Sequence, residues 1–317
     1  MNKTIEKKYT LPFILVTSLF LLWGLANNMT DTLLAAFKRI MDMSDTQTSL
    51  ILSAFYGSYF CFAIPAALFI RKYSYRAGVI LGLILYAAGA LLFFPAAKAA
   101  SYAFYLVAIY IMAGGCSVLE TTANPYIMAM GTPETATRRL NIAQSFNPMG
   151  SIAGILVSKY LILDNISLYS VSQTYTALGC LLLVIMVVML FANMPEGRDA
   201  ASGGSLRSTL SRLAGNKRYL YGVIAQFFYV GAQVGVWSYT IRIVMQELGV
   251  MEAEASNVFL VSIIAFCLSR FFYTWLMKWV DPTKLLAIAG VLSMLSSVSV
   301  AFTAGKGLMM VVSLVLI

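Results

Sequence analysis

MPEGRDAASGGSLRSTLSRLAGN, residues Met194 to Asn216, is a polar, Gly- and Ser-bearing, net basic stretch in a chain that is otherwise mostly apolar. Six apolar runs precede it, near 11–37, 47–70, 76–97, 102–130, 140–163 and 171–193, and three follow, near 219–246, 255–277 and 284–304. Each is long enough for the roughly 20 residues a helix needs to span a hydrocarbon core of about 30 Å. The polar stretch therefore divides the chain. Residues 1–193 are expected to form a six-helix transmembrane bundle, 194–216 a cytoplasmic linker, and 217–317 a partial second bundle of three helices and the start of a fourth.

Composition supports this reading. Hydrophobic residues make up 60% of the chain and charged residues 11%, against about 45–50% and about 25% in globular proteins. The expected fold class is an all-α polytopic membrane protein. Basic residues are unevenly shared between successive loops: Lys3, Lys7, Lys8, Arg71, Lys72, Arg76, Arg138 and Arg139 fall on one side, and Lys38, Arg39, Lys98 and Lys159 on the other. Basic loops stay in the cytoplasm, which places the N-terminus inside and accounts for the net charge of +9 without any nucleic-acid partner. The first run follows Lys7 and Lys8 as a signal peptide's would. It continues past Asn27 and Asp31 with no small-residue cleavage site, so it is expected to be a retained helix.

After Gly305-Lys306-Gly307 the run Leu308–Ile317 has ten residues, about 15 Å of helix. A carrier of two six-helix halves would continue, so the second half is expected to lack most of helix ten and all of eleven and twelve. A short re-entrant tail is the alternative.

Chemistry concentrates on two acids. Of thirteen acidic residues, only Asp31 and Glu120 fall inside the apolar runs, both among asparagines and threonines. A carboxylate left in hydrocarbon costs about 2.5–3.5 kcal/mol on insertion scales, so such a residue usually faces a cavity, a partner or a proton path. With no histidine in the chain, a proton relay working near neutral pH must use carboxylates. The pair points to proton-coupled transport, with Asp31 and Glu120 as the proton-coupling residues. The four cysteines are scattered inside the runs without metal-ligand spacing, so no metal, cofactor or disulfide framework is expected. No nucleophile–base pair or phosphate-binding loop is visible either, which argues against an enzyme.

On the first run, Asn27 and Asn28 precede Asp31 by four and three residues, so both amides can share its face. Asp31 could equally be an interfacial acid, since Lys38 is only seven residues on. On the fourth, Gly114-Gly115-Cys-Ser-Val-Leu-Glu120-Thr-Thr-Ala-Asn124-Pro125 sets Asn124 one turn beyond Glu120. Pro125 deprives the Thr121 carbonyl of its helical partner, which can loosen the backbone and leave a polar notch beside the acid. A structural acid bonded to a neighbouring helix is the alternative. The fifth run carries Asn141, Gln144 and Asn147 at every third position, suited either to a cavity, which is preferred for Gln144, or to interhelical hydrogen bonds. The seventh carries Gln226, Tyr229, Gln233 and Trp237 along one helical face. Amides for hydroxyls and aromatic faces for the apolar side of a pyranose would suit a sugar, although such stripes also serve packing. Arg270 is read as structural, and the GxxxG pairs Gly150/Gly154 and Gly231/Gly235 as sites of close helix packing.

At these residues the chain resembles the L-fucose:proton symporters, a sugar-transporting branch of the major facilitator superfamily. The resemblance runs through essentially the whole chain and is most specific in Ala26-Asn-Asn-Met-Thr-Asp31, Leu119-Glu-Thr-Thr-Ala-Asn-Pro125, Asn141-Ile-Ala-Gln-Ser-Phe-Asn147, and Tyr229-Val-Gly-Ala-Gln233 with Trp237-Ser-Tyr239. It implies a major facilitator fold with a complete N-terminal six-helix bundle and an incomplete C-terminal one. It also implies that Asp31 carries the proton, that Glu120 couples sugar binding to protonation, and that Asn28, Gln144, Gln233 and Trp237 line the cavity, with Asn124 beside Glu120. The superfamily's basic loop between helices two and three survives as Arg71-Lys-Tyr-Ser-Tyr-Arg76-Ala-Gly78, without its usual aspartate.

The expected activity is proton-coupled uptake of L-fucose or a related hexose by alternating access across an inner membrane. The partners would be sugar, proton and lipid bilayer, and the chain a monomer. Proton-driven efflux is the alternative within transport. An inactive truncated product or a sugar sensor that does not transport is the alternative outside it.

Overall fold

The computed structural model describes residues 7–163, 167–195, 206–250 and 252–303. Its helices are α1 (Thr10–Ile40), α2 (Asp45–Lys72), α3 (Tyr75–Leu91), α4 (Phe93–Ala99), α5 (Tyr102–Ala129), α6 (Ala136–Gln144), α7 (Phe146–Ser158), α8 (Leu168–Phe191), α9 (Leu206–Ala214), α10 (Lys217–Leu248), α11 (Glu252–Leu276) and α12 (Pro282–Thr303). Among the described residues there is no strand, and seven helical segments are long and apolar enough to cross a membrane. The expected runs outside those seven are 140–163, divided between α6 and α7, and 219–246, which lies on α10.

Prolines explain the interruptions. α3 ends at Leu91, four residues before Pro95, and α6 ends at Gln144, four before Pro148. In each case the last helical carbonyl is the one whose N–H partner the proline removes. Pro65 and Pro125, by contrast, lie inside the unbroken helices α2 and α5. The loosening expected at Pro125 is therefore not a break in α5.

Serines start several of the long helices. Ser44 and Gln47 form a reciprocal capping box at α2, with the Gln47 N–H donating to Ser44 Oγ at 3.2 Å and the Ser44 N–H to Gln47 Oε1 at 3.0 Å. Ser74, Ser101 and Ser167 accept from the backbone N–H groups of Ala77, Phe104 and Ser170 at the starts of α3, α5 and α8. Each such cap contributes about 1 kcal/mol. Asn216 does the same for α10. At α12 the Thr283 N–H donates to the Asp281 carboxylate at 2.8 Å, and this bond holds the acid below its ordinary pKa.

The chain divides into two compact units, Met1–Ala200 and Ala201–Ile317. In the first, the most extensive helix pairs are α3 with α5 and α1 with α7; α2 lies on α5, and α8 on α3. Small residues allow the closest approaches. A side chain at Gly115 would meet the Tyr86 backbone, one at Gly89 the Met112 backbone, and one at Gly150 the Leu21 carbonyl. Tyr86 bridges outward from α3, donating its hydroxyl to the Leu22 carbonyl of α1 at 3.1 Å. The core between these contacts is aromatic, with Phe93 stacked on Tyr175 at 4.0 Å between ring centres.

The second unit pairs α10 with α11 and carries a small buried cluster around Val244, which includes Val258 of α11 and Val300 of α12. The packing expected of both glycine pairs holds for Gly150 and Gly154, which lie on Leu21 and Leu25 of α1. At Gly231 and Gly235, nothing among the described residues lies within 4 Å of where a Cβ would project.

Candidate functional site: a carboxylate pocket in the first unit

Ser117, Glu120, Thr121 and Asn124 recur on α5 at spacings of three, one and three, which brings all four to one helical face. Tyr59 and Ala63, one turn apart on α2, close the other side. Together these six residues line a pocket of about 320 Å³, within the usual size of a small-molecule site. Hydroxyls fasten α2 to α5 here: Ser58 Oγ donates to the Tyr110 carbonyl at 2.6 Å and Ser117 Oγ to the Tyr59 carbonyl at 3.1 Å. Glu120 is half-buried in the pocket wall. Among the described residues no side chain pairs with its carboxylate, so the expectation of a structural acid tied to a neighbouring helix finds no support there.

An amide relay leads away from the acid. Asn124 Nδ2 donates to the Glu120 backbone carbonyl at 3.0 Å, and Gln144 Nε2 donates to Asn124 Oδ1, also at 3.0 Å. Gln144, at the end of α6, thus reaches the pocket through Asn124. Its neighbours in the expected stripe serve structure: Asn141 donates to the Thr137 carbonyl of its own helix, and Asn147 to the Phe20 carbonyl of α1.

Beneath the relay, Arg139 fixes the turn from α5 to α6. It is 0% exposed and donates to the carbonyls of Ile127, Met128 and Thr132 and to Thr135 Oγ1. The C-terminal carbonyls of α5 thereby receive the donors that a helix end lacks. Gly131, at φ +150°, passes directly beneath the guanidinium, where a Cβ would come within 2.7 Å of Nη1.

The remaining expected site residues are placed as follows. Asn28 is half-buried on α1 and donates to the Gly24 carbonyl at 3.1 Å. Asp31 falls within α1, but its side chain lies outside the described residues. Gln233 is half-buried on α10 in the second unit, and the Trp237 side chain lies outside the described residues. Arg270 on α11 stacks over the Phe266 ring at 4.9 Å. Sequence reasoning passed over Tyr59 and gave Trp23 no role, although the Trp23 indole N–H donates to the Tyr59 hydroxyl at 2.7 Å. Tyr59 sits in the aromatic segment Phe55-Tyr-Gly-Ser-Tyr59-Phe60, where a packing residue and a pocket residue look alike.

Long apolar helices that carry a lone carboxylate and an amide relay into a pocket define a polytopic membrane carrier. A family model described as Major Facilitator Superfamily matches residues 13–317. The chain is 41% identical to an L-fucose-proton symporter of Haemophilus influenzae, over 96% of this chain and 77% of that protein. It is 36% identical to an L-fucose-proton symporter of Escherichia coli, over 95% and 75%. It is also 30% identical to a glucose/galactose transporter of Brucella abortus, over 89% and 70%. The crystal structure of the major facilitator transporter FucP in the outward conformation superposes with a TM-score of 0.88 at 35% identity, over 98% of this chain and 81% of that one. The proton:xylose symporter XylE shares the fold alone, with a TM-score of 0.72 at 11% identity over 96% and 77%. The chain belongs to the L-fucose-proton symporter family of the major facilitator superfamily, and its fold is the major facilitator fold.

Proposed function

We propose that this protein takes up L-fucose or a related hexose together with a proton, by alternating access. The observation that carries the reading is the pocket itself, where a carboxylate, a phenol and an amide relay converge in a space of sugar size. Glu120 couples sugar binding to protonation and Asp31 carries the proton. Asn28, Glu120, Asn124, Gln144, Gln233 and Trp237 contact the sugar. The working form is a monomer in a bacterial inner membrane with the N-terminus in the cytoplasm; residues 1–193 act as one bundle, 194–216 as the linker and 217–317 as part of the other.

The proton supplies the driving force. At about 100 mV one inward charge contributes about 2.3 kcal/mol, enough for a sugar gradient of about fiftyfold before any pH difference is added. Protonating Asp31 removes a charge that would otherwise oppose closure of the outer side.

The test is external pH in a lightly buffered suspension of de-energised cells expressing the chain, on addition of L-fucose and then of galactose, glucose and arabinose. Alkalinisation with a sugar establishes symport and ranks the substrates. Acidification, or no response while a 41%-identical relative responds in the same cells, overturns the reading.

A further inference from the structure

The structure assigns to Tyr59 the role of a hydroxyl donor to the bound sugar, with Trp23 as the positioning residue that aims it. This inference rests on the sugar-uptake reading above and adds to it a specificity contact that lies outside the amide and carboxylate set.

The direction of one hydrogen bond carries the argument. An indole Nε1–H can only donate. In the 2.7 Å contact between Trp23 and Tyr59 the phenol oxygen is therefore the acceptor, and its own O–H is left to point elsewhere. Tyr59 lines the pocket beside Glu120, whereas Trp23 is not among the lining residues. Cys116, buried on α5, lies near Tyr59, and a thiol is only a weak acceptor for its hydroxyl.

The other donors nearby are partly engaged. Ser117 Oγ is bonded to the Tyr59 carbonyl, and Thr121, which also lines the pocket, adds a second hydroxyl. Asn124 has one N–H on the Glu120 carbonyl and its oxygen occupied by Gln144. The pocket wall thus carries an acceptor, the Glu120 carboxylate, together with hydroxyl donors at Tyr59 and Thr121. A sugar hydroxyl is both donor and acceptor, so one hydroxyl can satisfy both groups at once, donating to Glu120 and accepting from Tyr59. The geometry is fixed because the Tyr59 backbone is tied to α5 through Ser117 and its ring packs on Phe55 at 5.4 Å between centres. The ligand class is a pyranose with a hydroxyl at the contacted position, and the corresponding deoxy analogue should be discriminated against.

The experiment uses the full chain in proteoliposomes and compares KM and maximal rate for L-fucose and its monodeoxy analogues. Tyr59→Phe keeps the ring and removes the donor, and Trp23→Phe removes the N–H that orients it. For L-fucose, Tyr59→Phe should raise KM about tenfold with little change in maximal rate, and Trp23→Phe should raise it about threefold. One monodeoxy analogue should bind the unsubstituted protein about tenfold more weakly and lose nothing further on Tyr59→Phe. That analogue names the contacted hydroxyl.

An unchanged KM for L-fucose in Tyr59→Phe overturns the assignment. So does a loss of equal size for every analogue, which would mean that the pocket has merely been distorted. An unsubstituted protein that takes up none of the sugars overturns the uptake reading, and this inference with it. Normal uptake by the unsubstituted protein together with an unaffected Tyr59→Phe overturns this inference alone.

Discussion

The first unit buries a continuous core through seven of its helices, whereas among the described residues of the second the buried apolar cluster centres on Val244. Both are built of long apolar helices, so hydrophobicity does not separate them. In a membrane, apolar surface gains little by meeting apolar surface, and association depends on close packing and polar contacts. The first unit has both: glycines set against backbone, and hydroxyls, amides and Arg139 spent on carbonyls of neighbouring segments. In the second, hydroxyls such as those of Thr240 and Thr274 bond back to carbonyls of their own helices, at Val236 and Arg270. Phe227, Phe228 and Leu286 stand exposed there. The first unit therefore holds a site that can be described from its own residues.

The largest expected effect tests that packing. Gly150→Leu drives a side chain into the Leu21 carbonyl of α1 and should prevent α7 from seating, with loss of most folded protein in detergent. Gly231→Leu should be recovered at close to the normal yield. Equal yields for the two would break the comparison, because the close approach of α1 and α7 would then be dispensable.

Next in size is the acid. Glu120→Gln removes the charged acceptor from the pocket and should lower L-fucose transport about a hundredfold, with folding intact by thermal melting. Asp31→Asn should leave sugar binding and exchange but abolish uphill accumulation. Undiminished uphill uptake by Asp31→Asn would remove that residue from proton coupling.

The amide relay predicts a smaller loss. Gln144→Ala leaves Asn124 Oδ1 without its donor and should raise KM for L-fucose about tenfold. Asn141→Ala, whose amide only returns to its own helix, should change KM less than twofold. If both behave alike, Asn124 does not need Gln144 to hold its orientation.

These three effects also mark how far the sequence could be read. The spans and Glu120 were legible because an apolar run of fixed length and a charge within it are one-dimensional signals. Asn124 and Gln144 were legible as a turn beyond an acid and a member of a polar stripe. Gln144 was the member of the stripe preferred for a cavity, but its route to the pocket through Asn124 was not legible, because that depends on how α6 rotates against α5, and Arg139 and the turn at Gly131 fix that rotation. Tyr59 stayed hidden for the same reason. An aromatic on a membrane helix shows its partner only once a second helix is placed beside it.

The smallest predicted effect bears on the second unit alone. Gly231 lies inside α10 with no atom of the described residues within 4 Å of a projected Cβ. Alanine there meets no neighbour among the described residues and is favoured over glycine in a helix interior by up to about 1 kcal/mol. Gly231→Ala should therefore leave the melting temperature in detergent unchanged or raise it by a few degrees, and leave L-fucose transport within twofold of normal. A fall in melting temperature would show that this face of α10 packs closely against another surface in the working protein. The GxxxG spacing of Gly231 and Gly235 would then mark a true helix contact, and the contrast between the two units would lie in what surrounds α10 rather than in its own sequence.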